Sequence, residues 1–171
     1  FRRTLTDEQY KNVKRSLALK NGANFSVPGA GKTTTTLAVW NHLYCKGVID
    51  NLLVICPKSA FEAWSGDELE EIFEKPPCTQ ELDNKRIRRE TRILISNYEK
   101  LENETFLEKL ILWMQNGSVM MVLDEAHRIK GGSQSVRWRA CKKVAGFAKR
   151  VELLTGTPMP QGFDDLRNLF N

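Results

Sequence analysis

The chain has 171 residues, with 26 Lys and Arg against 21 Asp and Glu, 41% apolar residues and a formal net charge of +5. That length suits one ordinary domain with its own core, and such an apolar share with so small a net charge excludes a disordered chain. No stretch approaches the ~20 consecutive apolar residues of a membrane-spanning helix. Cys45, Cys56, Cys78 and Cys141 are too scattered for a zinc site or a disulfide framework, which points to reduced thiols in a cytosolic or nuclear setting.

The opening FRRTLTDEQYKNVKR has neither an initiator Met nor the apolar segment of a secretory signal, so the chain reads as a piece of something longer. Residues around Phe25 form a strand leading into SVPGAGKT, and Thr33 to Cys45 reads as a helix. Leu52 to Cys56 is a continuous apolar run that stops at Pro57. A helix should follow with Ser59 as its N-cap and Phe61, Trp64, Leu69, Ile72 and Phe73 at helical spacing. Residues 74–90 are rich in Pro and charge, and hold either a short strand near Cys78 or a surface loop. Arg92 to Ser96 is the next strand. Asn103 to Gln115 is an amphipathic helix ended by Asn116-Gly117. Val119 to Leu123, a basic helix from Ser135 to Ala148, and a strand from Val151 to Leu154 complete the pattern.

Strands without polar alternation, each followed by a helix, predict an α/β fold with a mostly parallel central sheet covered on both faces. Such sheets bind ligands beyond the carboxyl ends of their strands. SVPGAGKT, CPKS, SNYEK, DEAHR and TGTP all fall there.

SVPGAGKT carries the strongest chemistry. Gly29 and Gly31, with Pro28 and Ala30 between and beside them, let backbone N–H groups curl around phosphate oxygens. The helix that opens at Lys32 adds its positive end. Lys32 would reach the β- and γ-phosphates, the Thr33 hydroxyl would bind Mg²⁺, and Thr34 continues the first turn. Ser26 stands where the general GxxxxGK[ST] pattern has its first glycine, a mild change because Gly29 and Gly31 make the sharp part of the turn. A glycine-rich turn that binds nothing is the bland alternative. Downstream, Asp124 at a strand end would hold Mg²⁺ through water, and Glu125 would position and deprotonate an attacking water. The alternative there is an acidic helix start stabilised by the dipole.

Taken together, SVPGAGKT, LVICPKSAFEAW, ILISNYEKL, VLDEAHRIKG and LLTGTPMPQGFDDLRNLF resemble superfamily-two helicase motifs I, Ia, Ib, II and III in their order and approximate spacing. The PKS…W arrangement, the HRIKG continuation and the LTGTP…LxxLF ending are most similar to Swi/Snf-type DNA translocases. The resemblance covers nearly the whole chain. It implies a RecA-like P-loop domain, the first of two, that uses ATP and Mg²⁺ and moves on duplex DNA. Lys32, Asp124 and Glu125 would be its catalytic residues.

By the same resemblance, Gln9 matches the adenine-reading glutamine, with a solvent-facing helix glutamine as the alternative. Pro57, Lys58 and Ser59 match a loop touching a nucleic-acid backbone, and Ser96, Asn97 and Tyr98 match a second one. Trp64 reads as core rather than a stacking platform. His127, Thr155, Gly156 and Thr157 match the segments that couple hydrolysis to strand movement. Pro160 and Gln161 depart from eukaryotic remodellers and favour a microbial or viral origin, hence a cytoplasmic protein, or a nuclear one if eukaryotic.

An RNA helicase or restriction-enzyme motor of the same superfamily, and a non-catalytic nucleotide-binding scaffold, remain open alternatives at this stage. Without the arginine fingers of a second domain, typically worth ~10³–10⁵ in rate, these residues alone should hydrolyse ATP very slowly. The basic runs Lys85–Arg92 and Arg137–Arg150 read first as solvated faces, with Trp138, Val144 and Phe147 turned to the core. The pI of about 9.1 permits nucleic acid as a partner without establishing it.

Overall fold

A computed structural model describes residues 1–129 and 135–156. The chain order is α1 (Asp7–Leu17), β1 (Gly22–Asn24), α2 (Lys32–Cys45), β2 (Asn51–Ile55), α3 (Gly66–Ile72), β3 (Thr79–Glu81), β4 (Ile93–Ser96), α4 (Tyr98–Leu101), α5 (Glu104–Met114), β5 (Val119–Asp124), α6 (Val136–Ala145) and β6 (Arg150–Leu154). Single 3₁₀ turns span Lys58–Ala60, Glu62–Trp64 and Ala126–Ile129. Among the described residues no helix is long and apolar enough to cross a membrane.

Among the described residues six strands form one sheet in the order β1-β6-β5-β2-β4-β3, and their pairings are parallel. Side chains alternate across a strand, so each apolar run feeds two cores at once. Leu53, Ile55, Met121, Leu123 and Leu153 pack under α4, α5 and α6 with Leu110, Trp113, Cys141 and Val144. Their neighbours Leu52, Val54, Met120, Val122 and Leu154 pack on the other face with Leu37, Val39 and Trp40 of α2 and Leu69 and Ile72 of α3. This two-sided burial explains why β2 and β5 carry no polar alternation.

Several predicted boundaries move. The first strand is Gly22–Asn24 and stops before Phe25, which is exposed at the sheet's edge. The segment after Pro57 is not one helix capped by Ser59. Two 3₁₀ turns come first, and α3 starts only after Ser65, because Gly66 takes a left-handed φ of 57°. The uncertain stretch 74–90 does contain a strand, β3, at the edge beside β4. α6 ends at Ala145, leaving Phe147 exposed, while Trp138 and Val144 face the core as expected. Arg150 is no solvated charge. It and Glu152 are buried and paired, and Arg150 also donates to the Ser16 and Leu19 carbonyls, fixing the end of α1 against β6.

Candidate nucleotide site

Register sets the geometry. Asn24, Leu154 and Asp124 lie level across β1, β6 and β5. Strands are spaced ~4.8 Å apart, so the phosphate loop leaves the sheet about 10 Å from the end of β5. Lys32 and Asp124 thus share one end of the sheet, close enough for the ammonium to favour the ionised carboxylate.

In the loop itself, Gly29 and Gly31 adopt φ values of 81° and 73°, the left-handed conformation that costs an L side chain ~1–2 kcal/mol. Gly31 has no room either: a Cβ there would lie 2.3 Å from Gln9 Nε2. Pro28 and Gly29 are exposed at the loop's crest. Lys32 Nζ folds back to donate to the Ser26 and Val27 carbonyls, at 3.0 and 3.4 Å. An ammonium satisfied by carbonyls of an exposed loop is available to exchange them for phosphate oxygens. Thr33 is partly exposed on the first turn of α2. Thr34 is buried and its hydroxyl accepts from Arg3 at 3.0 Å, so that side chain is already engaged within the domain.

Gln9 sits against this loop. Its Nε2 donates to the Ala30 carbonyl at 3.4 Å, while its Oε1 accepts from the Thr6 N–H in a capping box at the start of α1. The structure therefore places Gln9 beside the phosphate loop rather than on a free helix face.

Asp124 is buried and held on both oxygens. Oδ1 accepts from the Glu125 N–H at 2.9 Å and Oδ2 from the Trp64 indole N–H at 3.0 Å. Burial pushes its carboxyl up from the ordinary value, opposed by those two hydrogen bonds and by Lys32. A cation next to this group would remove the cost of keeping a desolvated charge. Among the described residues no group of three or more His, Cys, Asp or Glu is arranged to hold a metal ion by itself. Mg²⁺ is commonly held by one or two carboxylates with waters and substrate phosphates rather than by a protein cage, a part that the Asp124 carboxylate fits chemically.

Glu125 takes φ 52°, the only positive φ of a non-glycine residue among those described. Such strain costs of order 1–3 kcal/mol and concentrates at functional sites. It turns the side chain out so that Oε2 lies 3.1 Å from His127 Nδ1, and that nitrogen is also 3.4 Å from Thr155 Oγ1. The next residue closes the ring, because a Cβ on Gly156 would meet the Pro28 ring at 2.9 Å and Lys32 Nζ at 3.3 Å. His127, Thr155 and Gly156 thus link the acidic turn to the phosphate loop. Thr157, with Pro160 and Gln161, lies outside the described residues.

The loops after β2 and β4 fare differently. Pro57 is buried, but Lys58 and Ser59 are exposed beside the site. Ser96, Asn97 and Tyr98, the second candidate loop, are buried, so their side chains are engaged inside the domain. Asn97 caps α4, accepting from the Lys100 N–H at 2.9 Å, and the Tyr98 hydroxyl donates to the Asp124 carbonyl at 2.6 Å. Sequence reasoning missed the polar tasks of Trp64 and Tyr98. The available signal was that a buried indole N–H or phenol needs a partner.

Fold and loop define a P-loop domain of the RecA-like α/β class. A family profile described as SNF2-related domain matches residues 20–171, and the chain belongs to that family. It is similar to the DNA excision repair protein ERCC-6-like of Bos taurus, 26% identical over 159 residues, covering 84% of this chain and 12% of that protein. Helicase SWR1 of Cryptococcus neoformans is 31% identical over 161 residues, covering 87% of this chain and 12% of the relative. Among solved structures, the SWI2/SNF2 ATPase core of Sulfolobus solfataricus in complex with dsDNA superposes with a TM-score of 0.79 at 26% identity, over 98% of this chain and 35% of that one. The chain therefore spans about an eighth of the length of these curated relatives.

Proposed function

We propose that this chain is the first RecA-like domain of an ATP-dependent DNA translocase of the Swi/Snf type, acting with a second RecA-like domain on duplex DNA. The observation that carries this is the convergence of Lys32, Asp124 and the strained Glu125 at one end of the sheet, around a loop whose glycines leave room for phosphate. When bound, Mg·ATP supplies a phosphoanhydride whose cleavage releases energy. The chain's own residues do the rest. Gly29, Ala30 and Gly31 present N–H groups, Lys32 leaves its carbonyls for the phosphates, and Thr33 and Asp124 hold the cation side. Glu125, held by His127, orients and deprotonates water. Gln9, already at the loop's edge, reads the base.

Lys58 and Ser59 hold a phosphodiester backbone without reading sequence, which suits movement along any DNA. The dsDNA in the Sulfolobus solfataricus complex supports duplex as the track. Such a protein would work in the cytoplasm of a microbe or virus-infected cell, or in a eukaryotic nucleus. The test is ATP turnover by the intact protein with duplex DNA, single-stranded DNA and RNA. Duplex should stimulate most, and Lys32→Ala or Glu125→Gln should each remove turnover by ~10²-fold or more. Greater stimulation by RNA, or unchanged rates in both variants, would refute the reading.

A further inference from the structure

Asp124 is gripped by residues that follow two neighbouring strands, β2 and β4. Trp64 follows β2 and reaches Asp124 Oδ2, and Tyr98 follows β4 and reaches the Asp124 carbonyl. Both aromatic residues are fully buried. A carboxylate whose two oxygens each accept a fixed N–H cannot rotate about its last bond without breaking one of them. The connection outward is equally short. The backbone N–H of Trp64 donates to the Phe61 carbonyl at 3.0 Å, and that of Phe61 to the Lys58 carbonyl at 3.2 Å, so consecutive 3₁₀ turns join the exposed Lys58 to Trp64.

We propose that Trp64 is a positioning residue of the nucleotide site: its indole N–H sets the orientation of the Asp124 carboxylate toward the magnesium position and ties that carboxylate to the turn carrying the exposed Lys58 and Ser59. The inference rests on the reading of Asp124 as the residue on the cation side. Trp64 touches neither nucleotide nor metal and acts only through Asp124. Partners of this kind typically change metal affinity by 10–100-fold when removed.

The experiment uses the intact protein with Trp64→Phe and, to keep the core's volume, 3-benzothienylalanine introduced at position 64, which replaces the N–H by sulfur. Trp40→Phe is the control, a buried indole of α2 away from Asp124. The readouts are the affinity of a non-hydrolysable ATP analogue in EDTA and the Mg²⁺ concentration that gives half-maximal tightening of its binding. Both position-64 replacements should raise the Mg²⁺ requirement about tenfold and leave metal-free binding within about twofold, while Trp40→Phe changes neither. A benzothienylalanine protein with the wild-type Mg²⁺ requirement overturns the proposal. Asp124→Asn separates the two levels. If it abolishes the Mg²⁺ effect while position 64 does not move it, only the role of Trp64 fails. If Asp124→Asn itself keeps the wild-type requirement, the reading of the site fails and the role of Trp64 with it.

Discussion

Replacing Gly31 by Ala tests whether α1 braces the phosphate loop. Two costs follow from the structure. The φ of 73° places an alanine in the left-handed region, at ~1–2 kcal/mol. The new Cβ would also stand 2.3 Å from Gln9 Nε2, so that side chain must swing away. Swinging breaks its contacts to the Ala30 carbonyl and the Thr6 N–H, one of them the reciprocal half of the capping box, at ~0.5–1.5 kcal/mol. The total is about 1.5–3.5 kcal/mol. In a Gln9→Ala background only the backbone cost survives, so a double-mutant cycle by urea unfolding should show a coupling of ~1 kcal/mol between positions 9 and 31. Equal costs of Gly31→Ala in both backgrounds would refute the contact and, with it, the placing of Gln9 at the loop.

Three further expectations concern the scaffold. Glu152→Ala strands the buried Arg150 guanidinium and should destabilise the domain by ~3 kcal/mol, whereas Arg150→Met with Glu152→Leu should cost far less; similar losses in both, by denaturant titration, would contradict a desolvated pair. With a thiol reagent at pH 8, the exposed Cys45 should react first, while the buried Cys56 and Cys141 react only on unfolding; rapid labelling of all four would contradict the packing. Burial pushes the Cys141 thiol up from 9.0 to about 12, and Cys56 higher still. Between those pH values the unfolded chain has lost protons that the folded chain keeps, so stability is full below pH ~9 and falls as pH rises, by up to ~1.4 kcal/mol per pH unit for each thiol. Flat stability from pH 8 to 11 would contradict this.

Much of the fold was legible because its parallel strands are buried on both faces. Continuous runs such as Leu52–Ile55 and Val119–Leu123 have no other stable use in a chain of this composition. The phosphate loop and acidic pair were legible because their chemistry demands particular residues in consecutive positions. What stayed hidden depends on contacts between distant residues. Nothing local distinguishes Arg150, buried against Ser16 and Glu152, from the exposed Lys142 and Lys149. Ser59 looked like an N-cap because apolar spacing continued past it, yet Gly66 delays the helix. Ser96, Asn97 and Tyr98 follow a strand as a contact loop would, but capping and the bond to Asp124 take them inward. Glu125 showed its carboxylate but not its backbone strain, since that conformation is imposed by the turn leaving β5.

The proposed mechanism requires a magnesium-bound triphosphate between the phosphate loop and the acidic turn. The most direct measurement is a crystal structure of the protein with a non-hydrolysable ATP analogue and Mn²⁺, whose anomalous signal locates the cation. The Mn²⁺ peak should lie between Thr33 and Asp124, with Lys32 Nζ moved from the Ser26 and Val27 carbonyls onto the terminal phosphates. Nucleotide bound elsewhere, or Lys32 still on those carbonyls beside an occupied loop, would contradict it.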